Sequence, residues 1–232
     1  MKKSNTFAEK QQKIRDLLSN EVALIAYLDL ANILYWQDVL GWRFKLEDLI
    51  SGLLKVSSIK EVKIYYGSDP RAGAKSESLR KRAQKSGAIF KTKPIKYIKK
   101  TINEACFFKK ATLTLFDDAM TVRLREFIEE IGQTGIEIEE PKCNFDVEIS
   151  MDMMDDLEKV TGILLFSGDS DFKAPLERLK VKGKRVFVVG VRGHVAKELF
   201  EVSDHYVDFG LLYTGKKSYI AKIPPGAGSR DL

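Results

Sequence analysis

Five polar side chains stand where a parallel sheet would place chemistry: Asp29, Asn32, Asp146, Asp169 and Asp171. Asp29 ends an apolar run at 22–28 and opens Asp29-Leu-Ala-Asn32; Asp169 and Asp171 follow a second such run at 161–166, in Ser167-Gly-Asp-Ser-Asp-Phe172. Asp146 opens a helical stretch after Lys142-Cys-Asn-Phe, a position where negative charge suits the helix dipole. Carboxylates gathered in one place repel unless they are protonated or bridged by a cation. With only two histidines and two cysteines in the chain, an oxygen donor set suits Mg²⁺ or Mn²⁺. A cation held by a few such carboxylates, foremost Asp29, Asp146 and Asp169, could activate water and stabilise the leaving oxygen in phosphodiester hydrolysis. Asp171 would complete the set, and Asn32 would orient Asp29 or a water. The small Ser167 and Gly168 leave room for a phosphate against backbone N–H groups. Asp152, six residues past Asp146 and off its helix face, is a weaker candidate for a supporting group. Singly, each residue has a plainer reading: an Asp after a strand caps a helix or forms a turn, Asn32 makes an Asx-turn, Asp171 caps the next helix. The set outweighs its members because both apolar runs carry Asp at the same end.

The elements that must position them follow from apolar patterning. Short, bounded apolar runs at 22–28, 161–166 and 185–190 read as strands buried on both faces. Further strands are expected at 62–66, 206–209 and, as an exposed alternating stretch, 136–139; a strand at 111–116 is also expected. Residues 88–98 read as a strand or ribbon interrupted by Pro94. Helical spacing covers 7–20, 45–55, 74–86, 119–131, 145–157, 173–182 and 194–202, with Gly87 as a C-cap. Strands alternating with helices predict a parallel sheet covered on both faces, with ligands beyond the carboxyl ends of its strands.

Charge is unevenly spread. Residues 71–110 carry 13 Lys/Arg and two acids, +11 in a chain of net charge +6, so the remainder carries −5. A basic stretch beside an acidic body suits a polyanionic partner, or else is a solvated lysine-rich surface. Arg80, Lys81, Arg82 and Lys85 on one helix, Lys93, Lys96, Lys99 and Lys100 on the following ribbon, and Lys142 and Ser167 near the acidic residues are the candidate nucleic-acid contacts. Phe90 and Tyr97 could stack on bases or belong to the core.

The 232 residues suit one large domain with an insertion. Two cysteines exclude a disulfide scaffold and a four-cysteine zinc site. No apolar run reaches a membrane span and the first 20 residues lack a signal peptide's apolar stretch, so the expected location is cytoplasmic, without a membrane partner.

Asp29-Leu-Ala-Asn32, Asn144-Phe-Asp146-Val and Ser167-Gly-Asp-Ser-Asp-Phe172, followed by 182–190, 196–199 and Asp204, resemble the NYN domain, a branch of the PIN-like nuclease superfamily, nearest its LabA-like members. The resemblance runs over about 22–210; Ala31 stands where the family usually has a small residue or glycine before its asparagine. It implies a PIN-like, Rossmann-like α/β three-layer sandwich with a central, mainly parallel sheet. It also implies a metal-dependent ribonuclease centre at Asp29, Asn32, Asp146, Asp169 and Asp171. The expected organisation is a helical extension at 1–21, the domain at 22–212 with an insertion at about 101–140, and a mobile tail at 213–232. The resulting expectation is a Mg²⁺- or Mn²⁺-dependent nuclease, foremost an endoribonuclease. Its partner would be RNA, with DNA and a homo-oligomer left open. The alternative is a nucleic-acid-binding regulatory module with weak or no catalysis. An aspartyl phosphatase would need a second Asp at position 31, a Walker loop is absent, and a toprim nuclease would want a first-strand Glu.

Overall fold

The computed structural model describes residues 6–101, 118–135 and 137–219. They form two compact units, one from 1–93 with 144–232, the other from 94–143. In the larger unit the chain runs α1 (Phe7–Ser19), β1 (Leu24–Asp29), α2 (Leu30–Leu40), β2 (Trp42–Arg43), α3 (Leu46–Leu54), β3 (Ile59–Tyr65), α4 (Gly73–Lys85) and β4 (Ile89–Lys91). The smaller unit contributes β5 (Lys96–Thr101), α5 (Asp118–Gln133) and β6 (Glu137–Lys142). The larger unit resumes with α6 (Asp146–Asp155), β7 (Gly162–Phe166), α7 (Lys173–Val181), β8 (Arg185–Gly190), α8 (Lys197–Val202), β9 (His205–Asp208), α9 (Phe209–Leu212) and β10 (Ser218–Tyr219).

Six strands make one sheet in the order β4-β3-β1-β7-β8-β9, every pairing parallel. The three apolar runs are its interior: every residue of β7 is buried, as are Leu24–Leu28 of β1 and 186–190 of β8. Each Val, Leu, Ile or Phe side chain among them contributes about 1.5–3 kcal/mol on removal from water. Alternation along the strands sends Leu24, Ala26, Leu28, Leu164, Phe166, Phe187 and Val189 to one face, in a single core with Ile33 and Trp36 of α2, Leu49, Ile50 and Leu53 of α3, and Ala83 of α4. The opposite face presents Tyr27, Lys63 and Tyr65 toward α6. This three-layer α/β architecture is the one expected.

Apolar patterning signals no element at 30–40, where α2 begins directly off β1. Asp29 is both last strand residue and N-cap, so no turn residue marks the boundary; Gly41, with φ 69°, ends the helix in the left-handed conformation. Within the tail expected at 213–232, Ser218 and Tyr219 pair antiparallel with Arg43 and Trp42. Lys217 lies over the Trp42 ring at 4.5 Å and over Phe7 at 5.3 Å, holding the chain there. The strand expected at 111–116 falls outside the described residues. In the smaller unit β5 and β6 pair antiparallel, Lys99 opposite Glu139, and Ile128 of α5 is buried. Among the described residues no helix is long and apolar enough to cross a membrane.

Candidate metal centre

Strand order explains why the carboxylates meet. From β1 the chain moves outward through β3 and β4; from β7 it moves outward the other way through β8 and β9. Crossovers diverge at β1 and β7, which opens a crevice beyond their carboxyl ends. Asp29 ends β1, and the loop 167–171 follows β7.

Each side chain is held by its own loop. Asp29 caps α2: Oδ1 accepts from the Asn32 backbone N–H at 3.4 Å and Oδ2 from the Asn32 amide at 2.6 Å. Asn32 thus holds both oxygens of Asp29. Burial pushes the Asp29 carboxyl above the usual range, opposed by these hydrogen bonds and reinforced by Asp169. Asp169 Oδ1 accepts from the Asp171 N–H at 3.0 Å, so Asp169, not Asp171, caps the 3₁₀ turn Ser170–Phe172. Asp146 is the first residue of α6, and its N–H donates to Asn144 Oδ1 at 2.7 Å. Burial raises the Asp146 carboxyl; the Asn144 contact opposes this, while Asp169, Asp29 and Asp171 add to it.

Asp146, Asp169 and Asp171 each offer a carboxylate oxygen within 4.8 Å of the others. Two oxygens sharing a Mg²⁺ at 2.0–2.1 Å can lie at most about 4.2 Å apart, so small side-chain rotations suffice. The donor set, three carboxylates without histidine or thiolate, fits a hard divalent cation. Of the expected trio of Asp29, Asp146 and Asp169, the last two group here with Asp171, while Asp29 accepts hydrogen bonds from Asn32 and adds its charge to the surroundings of Asp146.

Other expectations change more. Ser167 is fully buried and its Oγ accepts from the Asp169 N–H at 3.2 Å, so it braces the loop and offers nothing to a phosphate. Gly168 is required by crowding: a Cβ there would stand 2.1 Å from the His194 carbonyl oxygen. Asp152 does not support the trio; it accepts from the Tyr65 hydroxyl and, at 2.7 Å, from Lys91. Nearby Asp156, buried, accepts from Tyr27 at 2.7 Å, from Lys159 at 2.9 Å and from Lys63, itself buried in β3. Sequence reasoning misses this network, although a lysine and two tyrosines in strands otherwise rich in aliphatics are its signal.

The basic residues separate into groups. Arg80 and Lys81 meet Glu77, and Arg82 meets Glu47 at 3.3 Å. Because α4 returns antiparallel to the strands before β4, Lys85 lies at the edge opposite the acidic residues. Lys93 instead lines a groove of about 680 Å³ with Asn144, Asp146, Val147, Met151 and Asp171. It pairs with Glu148 and sits 4.7 Å over the Phe145 ring. Phe90 packs partly against the core. Tyr97, Lys96, Lys99 and Lys142 belong to the smaller unit, where Lys99 meets Glu137 at 3.3 Å and Lys96 faces Lys142 across the strands. Lys100 lies in β5, its side chain outside the described residues.

Comparison with known proteins agrees with this geometry. Residues 102–212 match the NYN domain, a nuclease-superfamily domain, and the match takes in Asp146, Asp169 and Asp171. Over 116 residues the chain is 34% identical to the low amplitude and bright protein LabA of Synechococcus elongatus; the alignment covers 50% of this chain and 58% of that protein. A crystal structure of a protein of unknown function from Vibrio parahaemolyticus superimposes with a TM-score of 0.55 at 17% identity, over 82% of this chain and 93% of that one, a likeness of fold. Sequence and architecture agree: residues 102–212 match the NYN domain, and the chain is similar to LabA over half its length.

Proposed function

We propose that the protein is a divalent-metal-dependent nuclease acting on RNA, with hydrolysis at Asp146, Asp169 and Asp171. The observation that carries this reading is the convergence of these three carboxylates at the switch-point crevice, inside the segment matching the NYN domain. Bound Mg²⁺ or Mn²⁺ would supply an activated water and charge stabilisation for the leaving oxygen. Asp146, Asp169 and Asp171 would hold it. Asp29, fixed by Asn32, adds negative charge that favours a cation and disfavours an uncompensated phosphate. The groove beside the trio gives the strand a path past Lys93. The alternative, a regulatory binder without catalysis, leaves unexplained why raised carboxylates are clustered where a polyanion would approach.

The test is cleavage of an end-labelled single-stranded RNA in Mn²⁺ or Mg²⁺ against EDTA, with native protein and Asp169→Asn. Cleavage that needs the metal and is lost in the variant supports the reading. Metal binding without cleavage of RNA or DNA would favour the regulatory alternative.

A further inference from the structure

An aromatic pair, Tyr35 and His194, packs against the loop that carries Asp169. Tyr35 is 57% exposed although tyrosine rings bury readily. Its ring meets exposed His194 edge-on, centroids 5.8 Å apart at 65°, within the favourable range for aromatic pairs. The contact fixes the orientation of a ring that leaves much of its surface to solvent.

Both residues are tied to the crevice by structure already described. Tyr35 lies on α2 one turn beyond Asn32, on the same side of the helix, and about 9 Å along the axis from Asp29. His194 closes a turn after β8: its N–H donates to the Val191 carbonyl at 2.9 Å, and Gly193, with φ 84°, occupies the third position where a positive φ is needed. The His194 carbonyl packs on Gly168, directly between Ser167 and Asp169, and the Ala196 N–H donates to the Gly168 carbonyl at 3.0 Å. The pair therefore links helix α2, which Asp29 caps, to the loop that carries Asp169. Arg192, exposed in the same turn, adds a cation.

We infer that Tyr35 and His194 form a stacking platform for an unpaired nucleobase next to the phosphate held at the acidic trio, so that the substrate is recognised as single-stranded RNA. The inference rests on the nuclease reading for the position of that phosphate. An exposed aromatic surface at the same end of the sheet as the acidic residues takes any base by its π-face and excludes a base locked in a duplex. Arg192 is placed to meet the neighbouring backbone.

The experiment measures equilibrium binding, in Mn²⁺, of a fluorescent oligoadenylate decamer with hydrolysis-resistant phosphorothioate linkages. An abasic tract of equal length and charge is the control. Tyr35→Ala and His194→Ala should weaken oligoadenylate binding roughly five- to a hundredfold, and Tyr35→Phe should bind as native. The abasic tract should bind weakly and equally to all. If native protein binds the two probes alike, or if both alanine variants hold oligoadenylate as native protein does, the platform does not exist. Mn²⁺ titration of the same proteins separates the two ideas: absent metal binding sinks the nuclease reading, whereas a Tyr35-dependent preference for bases survives it. Circular dichroism melts identify any variant that has lost its fold, and the other alanine variant then decides.

Discussion

Asp146 and Asp156 lie at the two ends of one helical segment, and their surroundings push them in opposite directions. Asp146 is raised by burial and by Asp169, Asp29 and Asp171, so its ionised form is disfavoured in the folded, metal-free protein. The folded state then binds more protons than the unfolded one just above the usual Asp range, and stability falls as pH rises through that window. Asp146→Asn should raise the melting temperature of metal-free protein near neutral pH. The gain should close as pH falls into the ordinary carboxylate range, and Mn²⁺ affinity should drop by more than about tenfold. Calorimetric melts across pH, with and without Mn²⁺, read all three. A variant that melts lower than native at neutral pH without metal would show that Asp146 is structural. Asp169 is the poorer choice for this test, since its carboxylate also caps the turn at Ser170–Phe172.

Helix α6 carries Asp146 at its first residue and Asp152 within its length, and Asp156 follows its last turn. Tyr27, Lys63, Tyr65 and Lys91 bind the second half of this segment to the sheet. At Asp156 burial works to raise the carboxyl, but hydrogen bonds from Lys63, Lys159 and Tyr27 outweigh it and hold it below the usual range. Its contribution is present above the ordinary Asp range and is lost as pH falls through the lowered value, the reverse of Asp146. Asp156→Ala would strand the buried Lys63 ammonium, leaving Glu61 at 3.8 Å as a half-exposed partner. The expected loss is about 3–5 kcal/mol in urea unfolding at neutral pH, shrinking in acid. A loss below about 1 kcal/mol would mean that Lys63 finds water. Periodicity discloses the buried strands and the ends where Asp29 and Asp169 sit, because burial on both faces writes itself as an apolar run. It does not disclose the Tyr27–Asp156 and Tyr65–Asp152 contacts, since partners more than 80 residues apart leave no local pattern. Nor does it disclose that Asp171 groups with Asp146 and Asp169 while Asp29 accepts from Asn32, which depends on side-chain positions.

The smaller unit leaves the larger after Lys93 and returns at Asn144, and both of these residues line the same groove. The excursion therefore starts and ends at neighbouring points. Replacing 94–143 by a short Gly/Ser linker should leave a protein that unfolds cooperatively and binds Mn²⁺, because the sheet and trio lie outside the deleted residues. The deletion removes Lys96, Lys99, Lys100 and Lys142. If these hold RNA backbone, the log–log salt dependence of oligonucleotide binding should flatten by about 0.7 for each phosphate that the shortened protein no longer neutralises. An unchanged slope would make that unit's lysines a solvated surface, with charge recognition left to the larger unit.

The place of β1 between β3 and β7 has a consequence for synthesis. Its partner on one side emerges from the ribosome soon afterwards; its partner on the other side is made only after α3, α4, the whole smaller unit and α6. At about 5–20 residues per second the nascent chain waits on the order of ten seconds or more with one edge of an apolar strand open. Such an edge is a template for pairing with another chain. Contacts this distant in sequence also slow folding, although lengthening the loop itself adds only about 0.6 kcal/mol per doubling. The strand order that creates the crevice thus leaves the half-made protein with an unpaired apolar edge until translation passes Phe166.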